Sequence, residues 1–226
     1  MIRLNILIIT CFALPFGAKA QQLDSIQFSR FAIDVLYADF EGFNEQITDL
    51  GFPELPPEVA NFSFALLQKE GRVLRSFSLN LGITSDEDDP SPSTTFNFVG
   101  VSTLSAINLF NEQSPWFLGP GIGVTLRYER MVLSENENPG NIRAASQTNF
   151  IKLNRFHVPI HGGLFFNRFM LLNKQKNNYL ILGLNGQYAI DTNSERWSVS
   201  GAVPVENNGI NTAGWRFGFS IGFHFG

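Results

Sequence analysis

The stretch "GWRFGFSIGFHFG", residues 214–226, sets Trp215, Phe217, Phe219, Ile221, Phe223 and Phe225 at every second position. Arg216, Gly218, Ser220, Gly222 and His224 fill the places between. Side chains of a strand alternate between its two faces, so a period of two predicts a strand with one aromatic face and one face of small and polar residues. Each aromatic side chain removes a large apolar area from water, which is favourable only against hydrocarbon or a packed core.

The same alternation recurs along the chain. Phe31, Ile33, Val35 and Tyr37 stand opposite Ala32, Asp34 and Ala38, and residues 61–68 alternate through Phe62, Phe64 and Leu66. Residues 73–83 place Val73, Phe77, Leu79, Leu81 and Ile83 on one face, interrupted only by Arg75. Residues 94–109 begin with Phe96 and Phe98 and then turn apolar on both faces at Val99 and Val101, which predicts a bulge or phase slip. Residues 116–132, 156–170 and 179–190 repeat the pattern, and residues 214–226 complete a set of eight strands.

The connections between these strands are short at residues 69–72, 111–115 and 173–178 and long at 38–60, 84–93, 133–152 and 191–212. Short and long links therefore alternate. Composition agrees with a chain that does not face water on every side. Charged residues make up 16% of it, against roughly 25% in soluble domains, while 23 phenylalanines raise the aromatic share to 13%. Beyond residue 20 no apolar run approaches the ~18 residues of a membrane helix.

The first twenty residues read as an export signal: Arg3 is the basic start, residues 5–16 the apolar stretch, and Ala18, Lys19 and Ala20 the small-residue cleavage site. Their removal takes Arg3 and Lys19 and no acids, so the formal charge moves from -4 to -6. That sign argues against a nucleic-acid partner. Cys11 lies within the signal, leaving residues 21–226 without a cysteine and without disulfides.

On this pattern, the loop alternation and the terminal aromatic strand, the chain resembles the small eight-stranded outer-membrane β-barrels of Gram-negative bacteria. It is of the OmpA/OmpX type in size and similar to the barrel-domain proteins of the Bacteroidota. The expected fold is all-β: an antiparallel up-and-down transmembrane barrel over residues 21–226, with short periplasmic turns, long extracellular loops and both ends in the periplasm. The resemblance also implies that Trp215, Phe217, Phe219, Ile221, Phe223 and Phe225 form the signal read by the outer-membrane assembly machinery. Such signals typically end on an aromatic residue, and here Phe225 is penultimate.

Within such a barrel Asp34, Arg127, Glu129 and Arg216 face inward and are the expected members of a luminal charge network, since buried charges require partners. His157 and His161 share that face but stand four residues apart, about 13 Å at a strand's rise, too far for one metal ion. They are expected to be separate hydrogen-bonding groups. The glycines of "GPGIG", residues 119–123, lack the Lys-Ser/Thr of a phosphate loop and are expected to make room for bulky neighbours. No cofactor or catalytic set is indicated.

The long links hold 15 of the 20 acids, among them Asp86, Glu87, Asp88 and Asp89. They suit solvated loops, divalent cations or a basic surface partner beside outer-membrane lipid and lipopolysaccharide. Phe43, Ile47, Leu50 and Phe52 suggest a short helix ended by Gly51 and Pro53, suited to cap the barrel mouth or to bind a partner. The expected function is a monomeric, non-enzymatic barrel, structural or surface-binding. The alternatives are a small passive pore, a soluble lipocalin-like barrel with its apolar face inward, or a lipid A-modifying enzyme. Tyr37, Tyr128 and Trp215 should mark the outer interface of the band and Trp116 the inner one.

Overall fold

The computed structural model describes residues 25–85, 92–134, 150–191, 197–199, 203–205 and 212–225. The proposed signal, Asp86, Glu87, Asp88 and Asp89, and the acids Glu135, Glu137, Glu195 and Glu206 lie outside these residues. The strands are β1 (Ser25–Tyr37), β2 (Glu58–Glu70), β3 (Val73–Ser85), β4 (Ser93–Ile107) and β5 (Trp116–Ser134). They continue as β6 (Phe150–His157), β7 (Pro159–Asn173), β8 (Asn178–Asp191), β9 (Trp197–Val199), β10 (Val203–Val205) and β11 (Trp215–His224). One helix, α1 (Glu41–Asp49), lies between β1 and β2.

Neighbouring strands pair antiparallel from β1 through β5, then through β7, β8 and β11, and β11 pairs back onto β1. The sheet is thereby a closed, eight-staved up-and-down barrel, in which β6 and β7 are two parts of one stave. The pairing leads from Val35 one way to Arg130 and the other way to Pro120 on the same strand, a stagger of ten residues. With strands about 4.8 Å apart and a rise of about 3.3 Å, that stagger tilts them by roughly 40°.

The aromatic face of residues 214–226 points outward. Trp215 and Phe217 are stacked on the outer surface and Phe223 is exposed beside Phe225. A single ladder row carries Ile33, Phe62, Leu81, Val99 and Tyr128 around the outside, and each of the five is at least 41% exposed. A soluble lipocalin-like barrel requires a polar exterior, which this apolar outer face does not provide. Tyr37, Tyr128 and Trp215 stand at one rim of the band. Trp116, stacked on Phe166 under the Arg168 guanidinium, stands at the other. Twelve residues of β5 separate Tyr128 from Trp116, about 30 Å along the barrel axis at the stated rise and tilt.

Three local expectations are corrected. The phase change at Phe96 and Phe98 is not a bulge: β4 keeps one register throughout, and these rings point into the barrel, at 0% and 5% exposure, while Val99 and Val101 point out. The sixth stave begins at Phe150 rather than 156. It is interrupted at Val158, where Pro159 offers no N–H for the ladder, yet the register to β5 is the same on both sides. Leu50 is exposed and does not belong to the buried face of α1, which consists of Phe43 and Ile47.

The turns at the Trp116 end are short. Gly71 takes a positive φ of 57° in the two-residue connection from β2 to β3, a conformation glycine adopts without strain. Inward glycines serve the lumen instead. Gly218 faces Asp34 across the closing pair, and a Cβ there would run into the Asp34 carboxylate and stand 2.9 Å from Asn185 Nδ2. Gly218→Val is therefore expected to destabilise the folded barrel by about 1–3 kcal/mol through overpacking. The check is a urea titration of refolded protein, and an unchanged midpoint would show that the closing pair has slack.

Candidate functional site

The inward face is layered along the barrel axis. Nearest the long connections lies an apolar layer of Phe96, Phe98, Met131, Leu133, Leu153 and Trp197, roofed by Phe43, Ile47, Phe52 and Leu55 of the segment between β1 and β2. Nearest the short turns lies a second apolar layer that includes Phe28, Leu74, Phe117, Phe165, Phe169 and Ile181. Polar and charged side chains occupy the middle.

The roof is held by its own polar contacts. The Asn44 side chain donates to Leu55 O at 3.0 Å and accepts from Leu55 N at 2.9 Å, folding the chain back beneath α1. Thr94 Oγ1 on β4 donates to Pro53 O at 2.9 Å. Phe40 meets Phe96 edge to face with centroids 5.3 Å apart. The helix thus caps the barrel mouth. At the opposite end buried Lys69 donates from Nζ to Glu112 O at 2.9 Å, and buried Asn108 bonds Trp116 O, Phe110 N and Leu118 N.

Of the four residues expected to form one charge network, the structure makes two pairs. Arg127 Nη1 lies 3.3 Å from Glu129 Oε1, two residues along one face of β5. Arg216 Nη2 lies 2.5 Å from Asp34 Oδ2, across the β1–β11 pair that closes the sheet. No salt bridge joins the two pairs among the described residues.

The Glu129 centre has further members that the strand pattern did not assign. Arg155 reaches Glu129 Oε2 from Nη2 at 2.7 Å and from Nε at 3.1 Å, and reaches Asp191 Oδ2 from Nη1 at 3.3 Å. His157 sits between two carboxylates, with Nε2 2.8 Å from Glu129 Oε1 and Nδ1 3.1 Å from Asp191 Oδ1. The ring satisfies both only when each nitrogen carries a proton. Thr212 Oγ1 donates to Glu129 Oε1 at 2.7 Å and accepts from Arg155 at 2.8 Å. Asp191, counted in sequence among the loop acids, is therefore a luminal residue at the end of β8, and His157 is not an isolated histidine.

The Asp34 centre is a relay of neutral groups. Asn61 and Asn185 donate to the two Asp34 oxygens at 3.0 Å each. Gln187 Nε2 donates to Asn185 Oδ1 at 2.7 Å, and His161 Nδ1 lies 2.8 Å from Gln187 Oε1. The order of donors fixes the His161 proton on Nδ1 and leaves Nε2 as a buried acceptor with no partner among the described residues. His161 and Phe165 lie over Gly123 and Gly121, where a Cβ would come within 2.7 Å of the imidazole and 2.8 Å of the phenyl ring. The glycines of residues 119–123 therefore make room, as their inward placement implies.

Chemically the middle of the lumen sets carboxylates against guanidinium groups and an imidazole. Arg127 lies 4.3 Å over the Phe98 ring and Arg155 5.0 Å over Trp197, so both cations are also held by the apolar roof. No cluster of His, Cys, Asp and Glu able to hold a metal is formed among the described residues. His224, the third histidine, directs Nδ1 to Gln27 O and joins neither centre.

No protein-family model matches this chain, and no curated protein does. Solved structures do. A crystal structure of Neisserial surface protein A is 11% identical over 88% of this chain and 96% of its own, with a TM-score of 0.42. The N-terminal β-barrel domain of Pseudomonas aeruginosa OprF is 13% identical over 91% and 100%, with a TM-score of 0.32. The barrel assignment rests on the strand pairing of this chain itself.

Glu129 is 0% exposed and neutralises two guanidinium groups and an imidazole. Its removal leaves buried cations uncompensated, so Glu129→Ala is expected to cost about 3–5 kcal/mol. Outward-facing Arg130→Ala, one residue on, should stay within about 0.5 kcal/mol of wild type. Denaturant titrations of the refolded proteins compare the two, and equal losses would remove the network from the stability of the barrel.

Proposed function

We propose that this chain is an integral, non-enzymatic barrel of the outer membrane whose lumen is sealed and whose interactions are made at its surface. The observation that carries the reading is the inversion of ordinary burial. Exposed phenylalanine, leucine and isoleucine form a broad band around the outside, while Arg127, Arg155, Glu129 and His157 are buried within. Water penalises such an exterior, and hydrocarbon accepts it. The roughly 30 Å between Tyr128 and Trp116 suits the apolar band of outer-membrane barrels, about 25 Å with aromatic girdles beyond it.

Two features support a sealed lumen over a passive pore. Eight strands enclose only enough space for side chains, and here that space is closed twice, by the roof of α1 and by the layer around Phe117 and Phe165. The buried carboxylates of the middle layer, Asp34 and Glu129, are both paired within it. A lipid-modifying enzyme requires a nucleophile with a base at the outer rim. The described histidines instead bond inward, His157 to Glu129 and Asp191 and His161 to Gln187, or to backbone, His224 to Gln27 O.

The orientation follows the loop rule: the short turns at the Trp116 end face the periplasm and the mouth under α1 faces outside. The acid-rich connections would then meet the medium, in position for divalent cations, lipopolysaccharide or a basic partner. In this reading the aromatic face of β11 also serves the assembly machinery.

Refolded protein, identified as a barrel by heat-dependent gel migration, should leave a planar bilayer silent. Phe43→Ser with Ile47→Ser should be silent too, because the lower apolar layer remains. Steady openings in wild type that change in Arg127→Ala would replace this reading by a luminal pathway.

A further inference from the structure

Among the described residues, the outer surface carries a polar row with an exposed cation inside its apolar band. Gln27, Gln68 and Arg75 are directly opposite one another on β1, β2 and β3. Neighbouring side chains in such a row stand about 5 Å apart. Along β3 the row is flanked by outward Phe77 and Val73, so Arg75 sits within the band rather than beyond it. No carboxylate bonds Arg75 among the described residues, and Glu70, the nearest outward acid on β2, forms no ion pair with it.

The row forms one end of a surface groove of about 710 Å³ that crosses β11, β1, β2 and β3. Its walls include Phe77 on one side and Phe223 and Phe225 on the other, and its floor is low because Ser29 stands where neighbouring rows carry larger side chains. The groove therefore pairs an apolar trough with a lone guanidinium at the end near the short turns. A cation on the lipid face is unfavourable unless it reaches an interface or a counter-charge. Extended toward the short-turn interface, as long cationic side chains are at a membrane surface, the Arg75 guanidinium meets the anion that a bilayer itself supplies there, a phosphate ester.

We propose that this groove seats one anionic glycerophospholipid of the leaflet on the short-turn side. The phosphate lies on Arg75, Gln68 and Gln27 donate to phosphate and glycerol oxygens, and an acyl chain lies along Leu66, Phe77 and Phe223. Arginine suits the role because its planar fork binds phosphate through two parallel hydrogen bonds. The groove lining contains no Asp or Glu to receive an ammonium, so a net-negative phosphatidylglycerol headgroup is preferred over phosphatidylethanolamine. The inference rests on the membrane reading above.

The test uses full-length protein refolded into vesicles of phosphatidylethanolamine in excess over phosphatidylglycerol. Flotation with the vesicles is scored first, then the protein is extracted into mild detergent and bound lipid is counted by native mass spectrometry. Wild type should float and retain one phosphatidylglycerol. Arg75→Gln should float equally and retain roughly fivefold less, the weight of one interfacial cation, with partial recovery in Arg75→Lys. Gln68→Leu should also lower retention, and millimolar inorganic phosphate should not displace the lipid. Retention in proportion to vesicle composition, equal retention in Arg75→Gln, or displacement by free phosphate would each overturn the lipid site while leaving the membrane reading intact. Failure of wild type to float would remove both.

Discussion

The closure of β11 onto β1 is the constraint from which the rest of this structure follows. An open sheet of this kind would present two edges of unpaired N–H and C=O groups, which neither hydrocarbon nor a tight fold accepts. Closing eight staves with a stagger of ten residues satisfies the backbone and at the same time sets the bore. That bore is too narrow to stand as a water column between large side chains and too wide to be filled by backbone. Every inward position must then be either small, apolar and packed, or polar and paired.

The chain answers this requirement in layers, with a few inward atoms such as His161 Nε2 and Asn167 Nδ2 left without a hydrogen-bond partner among the described residues. Apolar side chains close both ends, where the roof of α1 and the short-turn connections exclude water. Between them the charges pair in two separate centres, one around Glu129 and one around Asp34. The Asp34 centre is coupled to closure itself, because Asp34 and Arg216 come from the two strands that meet last in the chain order. Gly218 leaves the space into which the Asp34 carboxylate fits. Burial of these ions is no gain in itself. It places the paired charges where only a correctly registered sheet brings their donors and acceptors together.

Alternation made the eight staves legible, because a period of two survives any tertiary arrangement in which one face is apolar and the other is not. It also identified Asp34, Arg127, Glu129 and Arg216 as inward residues. It failed where a strand crosses from one environment to another. Phe96 and Phe98 are inward and apolar because they enter the roof layer, so the apolar face changes without any change of register. Arg155 and Asp191 were missed for a related reason: both stand toward the ends of staves, and alternation read the sixth stave only from residue 156, one short of Arg155, which shares the phase of His157 and His161. Asp191 closes β8 in a segment that reads as loop.

Local chemistry of the chain thus decided strand count, the direction each alternating side chain faces once one face is apolar, and the order of short and long connections, since all three depend on neighbours a few residues apart. Partners were decided by closure. Whether Glu129 meets Arg155, His157 and Thr212, whether Arg216 reaches Asp34, and whether Gln27, Gln68 and Arg75 form one row depend on the stagger of the whole barrel. A two-residue change in that stagger would preserve each strand's inward and outward faces and yet exchange every one of these contacts.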